Sequence, residues 1–74
     1  MEKKDEELIQ SLLDREPELR QYYEEHLDLE KRLAAYQQKV HLTTEEEIEK
    51  KRLQKLKIEG KDKIIEILGR YRPH

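Results

Sequence analysis

The sequence predicts an all-α protein: an antiparallel, coiled-coil-like helical hairpin with a short N-terminal helix, expected to self-associate as a dimer or higher oligomer. Three observations carry that expectation. Glu, Leu, Lys, Arg and Ala make up more than half of the 74 residues, the composition of long helices, which runs near 50% in these residues. Leu19, Tyr22, His26, Leu29, Leu33, Tyr36 and Val40 recur in alternating steps of three and four, a heptad seam. Strong breaks are few, with two Pro, two Gly and a Thr43-Thr44 pair.

Each element follows from local pattern. Residues 5–15 carry Leu8, Ile9, Leu12 and Leu13, an apolar stripe at helical spacing. Asp5, Glu6 and Glu7 suit the positive end of its dipole. Pro17 disfavours helix at the residue before it and suits the first turn of the next. A second helix is therefore expected over 17–40, with Tyr23, Leu27 and Ala34 flanking its seam. Residues 41–44 form a turn, because Thr44 with Glu47, or Thr43 with Glu46, makes a capping box. A third helix is expected over 45–68, with apolar positions at Ile48, Leu53, Leu56, Ile58, Ile64, Ile65, Ile67 and Leu68. Gly69 is its plausible stop, and 69–74 a frayed tail from which Tyr71 could pack back.

A connection of three to five residues makes antiparallel neighbours. Folding about it sets Leu33 opposite Leu53, Leu29 near Leu56, Tyr22 opposite Ile64 and Leu19 opposite Ile67. His26 falls opposite Gly60. These residues, Leu19, Tyr22, His26, Leu29, Leu33, Leu53, Leu56, Ile64 and Ile67, form the expected seam of the hairpin and its oligomer. A two-helix hairpin leaves apolar edge wet. The first helix can cover part of it near Leu19 and Ile67, and a second chain the rest, with Tyr23 expected at that interface.

Composition narrows the function. Charged residues are 46% and hydrophobic residues 34% of the chain, with a net charge of −2. Chains below roughly 70–80 residues seldom build a core worth more than ~3–5 kcal/mol, so a partner is expected. The absence of Cys excludes a disulfide scaffold and thiolate metal sites. No run approaches the ~20 apolar residues of a membrane span, and the charged start lacks a signal core, so a cytoplasmic setting is expected. No catalytic residue, cofactor or metal is expected. The only Ser is Ser11, Thr43 and Thr44 are explained as caps, and no Gly-rich phosphate loop exists.

Two constellations remain. His26 and Glu30, four residues apart, could form a pH-sensitive or metal-binding pair, but one His and one Glu are too few for a closed zinc site. The alternative is a packed ring whose nitrogen finds Glu30, a Tyr or water. Residues 50–63 are basic, with Lys50, Lys51, Arg52, Lys55 and Lys57 foremost, whereas residues 1–40 are net acidic. That asymmetry could bind nucleic acid, including the ribosome. Alternatively, the Lys stems cover the hairpin edge and pair with Glu24, Glu25, Asp28 and Glu30. No Gly-rich or aromatic platform accompanies the basic residues, so the first expectation is an interaction or adaptor protein, with nucleic-acid binding second.

With these elements placed, the chain resembles the YdcH-like family of short bacterial proteins. Glu16-Pro17-Glu18-Leu19, Glu24-Glu25-His26, Leu29-Glu30 and Leu33 parallel the family's His-Pro-Glu-Phe, Glu-Glu-His, Leu-Asp and Ile. Leu53-Gln54-Lys55-Leu56-Lys57-Ile58-Glu59-Gly60-Lys61-Asp62-Lys63-Ile64, closing with Ile67-Leu68, parallels its second half. The resemblance spans about residues 8–68 and implies a helical hairpin in a bacterial cytoplasm, with no activity. One departure is Gly60, where the family has Leu. Gly60 either makes room for Tyr22, Tyr23 and His26, so that Gly60→Leu would overpack at a cost of ~1–3 kcal/mol, or is a tolerated weak spot.

Overall fold

Pro17 and Thr43 divide the chain, because each sets a helix start that its neighbours cannot override. The computed structural model describes residues 2–72 and comprises three helices, α1 (Lys3–Leu12), α2 (Pro17–Gln37) and α3 (Thr44–Gly69). Among the described residues there is no strand.

The first helix is displaced from the expected 5–15. It starts at Lys3 and stops at Leu12, because Glu16, ahead of Pro17, is held extended at φ −120° and ψ 90°. The N–H groups of Arg15 and Glu16 instead turn back to the Leu12 carbonyl at 3.0 and 2.9 Å. Pro17 opens α2, where its missing N–H would have no intrahelical partner anyway.

The connection runs over 38–43, longer than expected, and α2 ends at Gln37 rather than Val40. Of the two possible capping boxes, Thr43 with Glu46 forms. The Glu46 N–H donates to Thr43 Oγ1 at 3.1 Å, and the Thr43 N–H donates to Glu46 Oε1 at 3.1 Å. That closure fixes the start of α3, and the reversal takes its extra length from the last turn of α2. Lys39 pairs with Glu46 across the loop and lies 5.6 Å from the Tyr36 ring centroid. Val40 is 91% exposed, so the seam stops at Tyr36.

The other end of α3 also departs from expectation. Gly69 is its last helical residue and has no positive φ. The tail is tied back as far as it is described: Tyr71 donates its hydroxyl to Glu16, and Arg72 pairs with Asp5. Pro73 and His74, expected in the frayed tail, lie outside the described residues.

The helices α2 and α3 pack against each other along their length, and α1 packs against α3. The main core sits away from the loop. Ile9 and Leu12 of α1 meet Leu19 of α2 and Ile64, Ile67 and Leu68 of α3, all buried. Toward the loop, Leu33 and Leu53 are buried as well. Ion pairs from Glu30 to Lys57 at 3.7 Å and from Lys39 to Glu46 cross between the arms in the same antiparallel register. Tyr23 latches α1, donating its hydroxyl to Glu6 Oε2 at 2.7 Å, while the Gln10 amide reaches it at 3.4 Å. Tyr23, half-buried, thus joins α2 to α1 within the chain.

The molecule extends 45 × 21 × 17 Å and exposes 5931 Å². A globular monomer of this mass would expose about 4,900 Å². The difference reflects a rod with little interior.

Two outcomes follow from these contacts. Thr43→Ala removes one half of the capping box and should destabilise the fold by about 1 kcal/mol in thermal or urea unfolding. The hydrogen bond to Glu6, with burial and the Glu6 charge adding to it, raises the Tyr23 pKa above the ordinary phenol value. A raised folded-state pKa means this contribution is complete below the unfolded phenol value, about 10, and is lost as pH rises through the folded one. An alkaline titration followed by circular dichroism should show this loss in the wild type. Tyr23→Phe should be slightly less stable at neutral pH and should lack that component of the alkaline loss.

Candidate functional site

Helical spacing gives each arm of the hairpin two flanks beside its buried stripe. On the flank bearing Tyr23, α1 is latched near one end. On the opposite flank, α2 presents Tyr22, His26 and Leu29 in steps of four and three, and α3 presents Leu56, Gly60 and Lys63 in the same steps. Between them lies an open groove of about 410 Å³. Tyr22, Leu29 and Gly60 are half-buried in it, and Leu56 is 39% exposed. Exposed Glu25, Asp28, Glu59 and Lys63 form its rim.

Gly60 is the reason that the groove exists. A Cβ built there would meet nothing within 4 Å. The rings of Tyr22, Tyr23 and His26 therefore do not fill the space, contrary to the first expectation for this glycine. Without a side chain at Gly60, Leu56 and Leu29 have no neighbour to cover them, so these two seam residues stay partly exposed.

His26 is the one buried polar residue in the hairpin, at 4% exposure. Its Nε2 lies 3.0 Å from Glu30 Oε1, and Lys57 Nζ approaches the same carboxylate oxygen at 3.7 Å. The ring is thus oriented as a donor from Nε2. Its buried Nδ1 has no hydrogen-bond partner among the described residues. Among the described residues, no group of three or more His, Cys, Asp or Glu side chains is placed to hold a metal ion. Ser11 donates its hydroxyl to the Leu8 carbonyl at 2.7 Å, and Thr43 serves as a cap.

Of the expected seam, Leu19, Leu33, Leu53, Ile64 and Ile67 are buried, Tyr22, Leu29 and Leu56 line the groove partly exposed, and His26 is both buried and part of the groove wall. Ile9, Leu12 and Leu68 share the core without having been placed in that seam. The signal for them was present in the paired apolar positions of the first helix and the Ile67-Leu68 doublet. The acidic rim had no such signal, since Glu25, Asp28 and Glu59 look like any solvated helix face.

The basic stretch is not one continuous patch. Arg52 bonds Glu49 at 3.0 and 2.8 Å, and Lys57 faces Glu30. Lys50 is half-buried, whereas Lys51 and Lys55 are exposed. Lys50, Lys51 and Lys55 have no carboxylate within ion-pair distance among the described residues. Of the α2 carboxylates thought to neutralise this stretch, only Glu30 reaches across. Glu24 is taken by Arg20 and Asp28 by Arg32 within α2 itself.

No family model, curated protein or solved structure matches the chain. Among the described residues, no helix is long and apolar enough to cross a membrane.

The empty space beside Gly60 makes a direct test possible. Gly60→Ala adds a methyl group that meets no neighbour and removes the helix penalty of glycine. It should stabilise the fold by about 1 kcal/mol, read as a higher midpoint in thermal or urea unfolding. A lower midpoint would mean that the site is packed.

Proposed function

We propose that this protein is a non-catalytic helical interaction module that works through the surfaces of its hairpin and through self-association. One observation carries the reading: an apolar groove bordered by Leu29, Leu56 and Gly60 stays open at mid-hairpin in a chain too small to bury much of its own surface. Removing such surface from water stabilises association by roughly 25 cal/mol per Å² buried, before the cost of ordering two chains. The same chain leaves Ile48, Ile58 and Ile65 more than two-fifths exposed. Membership of the YdcH-like family and a bacterial cytoplasmic setting belong to this proposal, supported by the paired motifs around His26 and over 53–64.

The hydroxyls support a non-catalytic reading. Ser11 and Thr43 are engaged by the backbone, and the groove contributes no hydroxyl other than that of Tyr22. Nucleic-acid binding ranks second, resting on Lys51 and Lys55, which have no ion-pair partner among the described residues. It is weakened because Arg52 and Lys57, from the same stretch, face carboxylates of their own chain.

Sedimentation equilibrium of the full chain tests the first reading. The mass should rise above 9.1 kDa with concentration, and Leu56→Glu should shift the distribution toward monomer without loss of helicity. A monomer at every concentration would overturn it. Nucleic acid that co-purifies in a salt-sensitive manner would favour the second reading.

A further inference from the structure

The outward side of α3 carries a second heptad seam. Ile48, Lys51, Lys55, Ile58, Asp62 and Ile65 recur in alternating steps of three and four, the spacing of a coiled-coil stripe. All six are exposed, and the three isoleucines are 64%, 62% and 45% exposed in chain order. Buried Leu53 stands two residues from both Lys51 and Lys55, and buried Ile67 two from Ile65. At about 100° per residue the hairpin core and this stripe therefore lie on opposite sides of the helix. Charge along the stripe is ordered. Lys51 and Lys55 come first, Glu59 on its flank and Asp62 within it come second, and none of the four has an ion-pair partner among the described residues.

We propose that α3 pairs along this stripe with α3 of a second copy, antiparallel and two-fold symmetric, with the axis level with Leu56 and Lys57. In that register Ile48 of each copy meets Ile65 of the other, and Lys51 meets Asp62. Lys55 lays its stem on Ile58 and reaches Glu59. Basic half thus meets acidic half twice over. A parallel pair would bring the isoleucines together equally well, but it would set Lys51, Lys55 and Asp62 each against its own counterpart, and like charges brought together in an interface are costly. Lysines within a seam weaken it and fix its register. Because one surface meets itself, the contact closes at two chains. This rests on the self-association reading and adds a surface to it. Leu56, two residues from Ile58, faces away from the stripe, so the groove stays free for a further contact.

Charge exchange tests the pairing, using full-length chains in sedimentation equilibrium at low salt, with circular dichroism to verify that each variant is folded. Lys51→Asp and Asp62→Lys should each associate at least about tenfold more weakly than the wild type. An equimolar mixture of the two should recover a one-to-one pair. The double variant, Lys51→Asp with Asp62→Lys, should recover association by itself, because an antiparallel partner again presents the opposite charge. Leu56→Glu should remove assemblies larger than the pair and leave the pair. A double variant as weak as the single ones would overturn the antiparallel register, whatever the mixture does. Wild-type association that neither single variant changes, or that Leu56→Glu abolishes outright, would overturn the assignment of surface and leave self-association standing. Lys51→Asp that removes co-purifying nucleic acid without changing the mass would overturn it in favour of the second reading. A wild-type chain that stays monomeric to about millimolar concentration would overturn both the pairing and the self-association beneath it.

Discussion

The packing of α2 on α3 holds the rest of the molecule in place. Neither helix is apolar enough to stand alone in water, since each carries one narrow stripe in a surface of Lys, Glu and Arg. Leu19 and Leu33 on one arm become buried only because Ile64, Ile67 and Leu53 on the other come to them in antiparallel order. The Thr43–Glu46 capping box makes that order reachable, satisfying the first N–H groups of α3 at the point where the chain turns. Remove the pairing and α1 has nothing to dock on, because Ile9 and Leu12 complete a core that the two long helices begin.

The core is concentrated where three helices meet and thins toward the loop. At that end Leu33 and Leu53 are buried, yet between the two apolar centres the seam is occupied by His26 and Gly60. A half-satisfied imidazole and a missing side chain are poor packing material. The hairpin is therefore least consolidated in its middle, and that is where the open groove lies. Glu30 links His26 to Lys57 there, so polar contacts across the arms replace part of the apolar packing.

Charge is distributed with similar economy. Most ion pairs join residues three or four apart on one helix, which stabilise that helix modestly and say little about which partner it chooses. The charges left over are more informative. Glu25 and Glu59 border the groove, and Lys55, one turn from Glu59 on α3, brings a positive charge to the same side of that helix.

The sequence by itself determined the helical class, the antiparallel pairing of the two long segments and the position of the turn. Those follow from heptad spacing, from the geometry of proline and from the hydrogen-bonding chemistry of a Thr-Glu cap, all of which act within a few residues. Tertiary structure decided what spacing cannot express: that Tyr23 is bound by Glu6 and Gln10 of α1, that Tyr71 and Arg72 return to Glu16 and Asp5, and that Val40 lies outside the seam. It also decided that Gly60 faces a gap instead of aromatic rings. The contacts of Tyr23, Tyr71 and Arg72 depend on which flank of the hairpin α1 covers. That choice is made by side-chain complementarity between segments far apart in the chain, and periodicity along one helix carries no record of it.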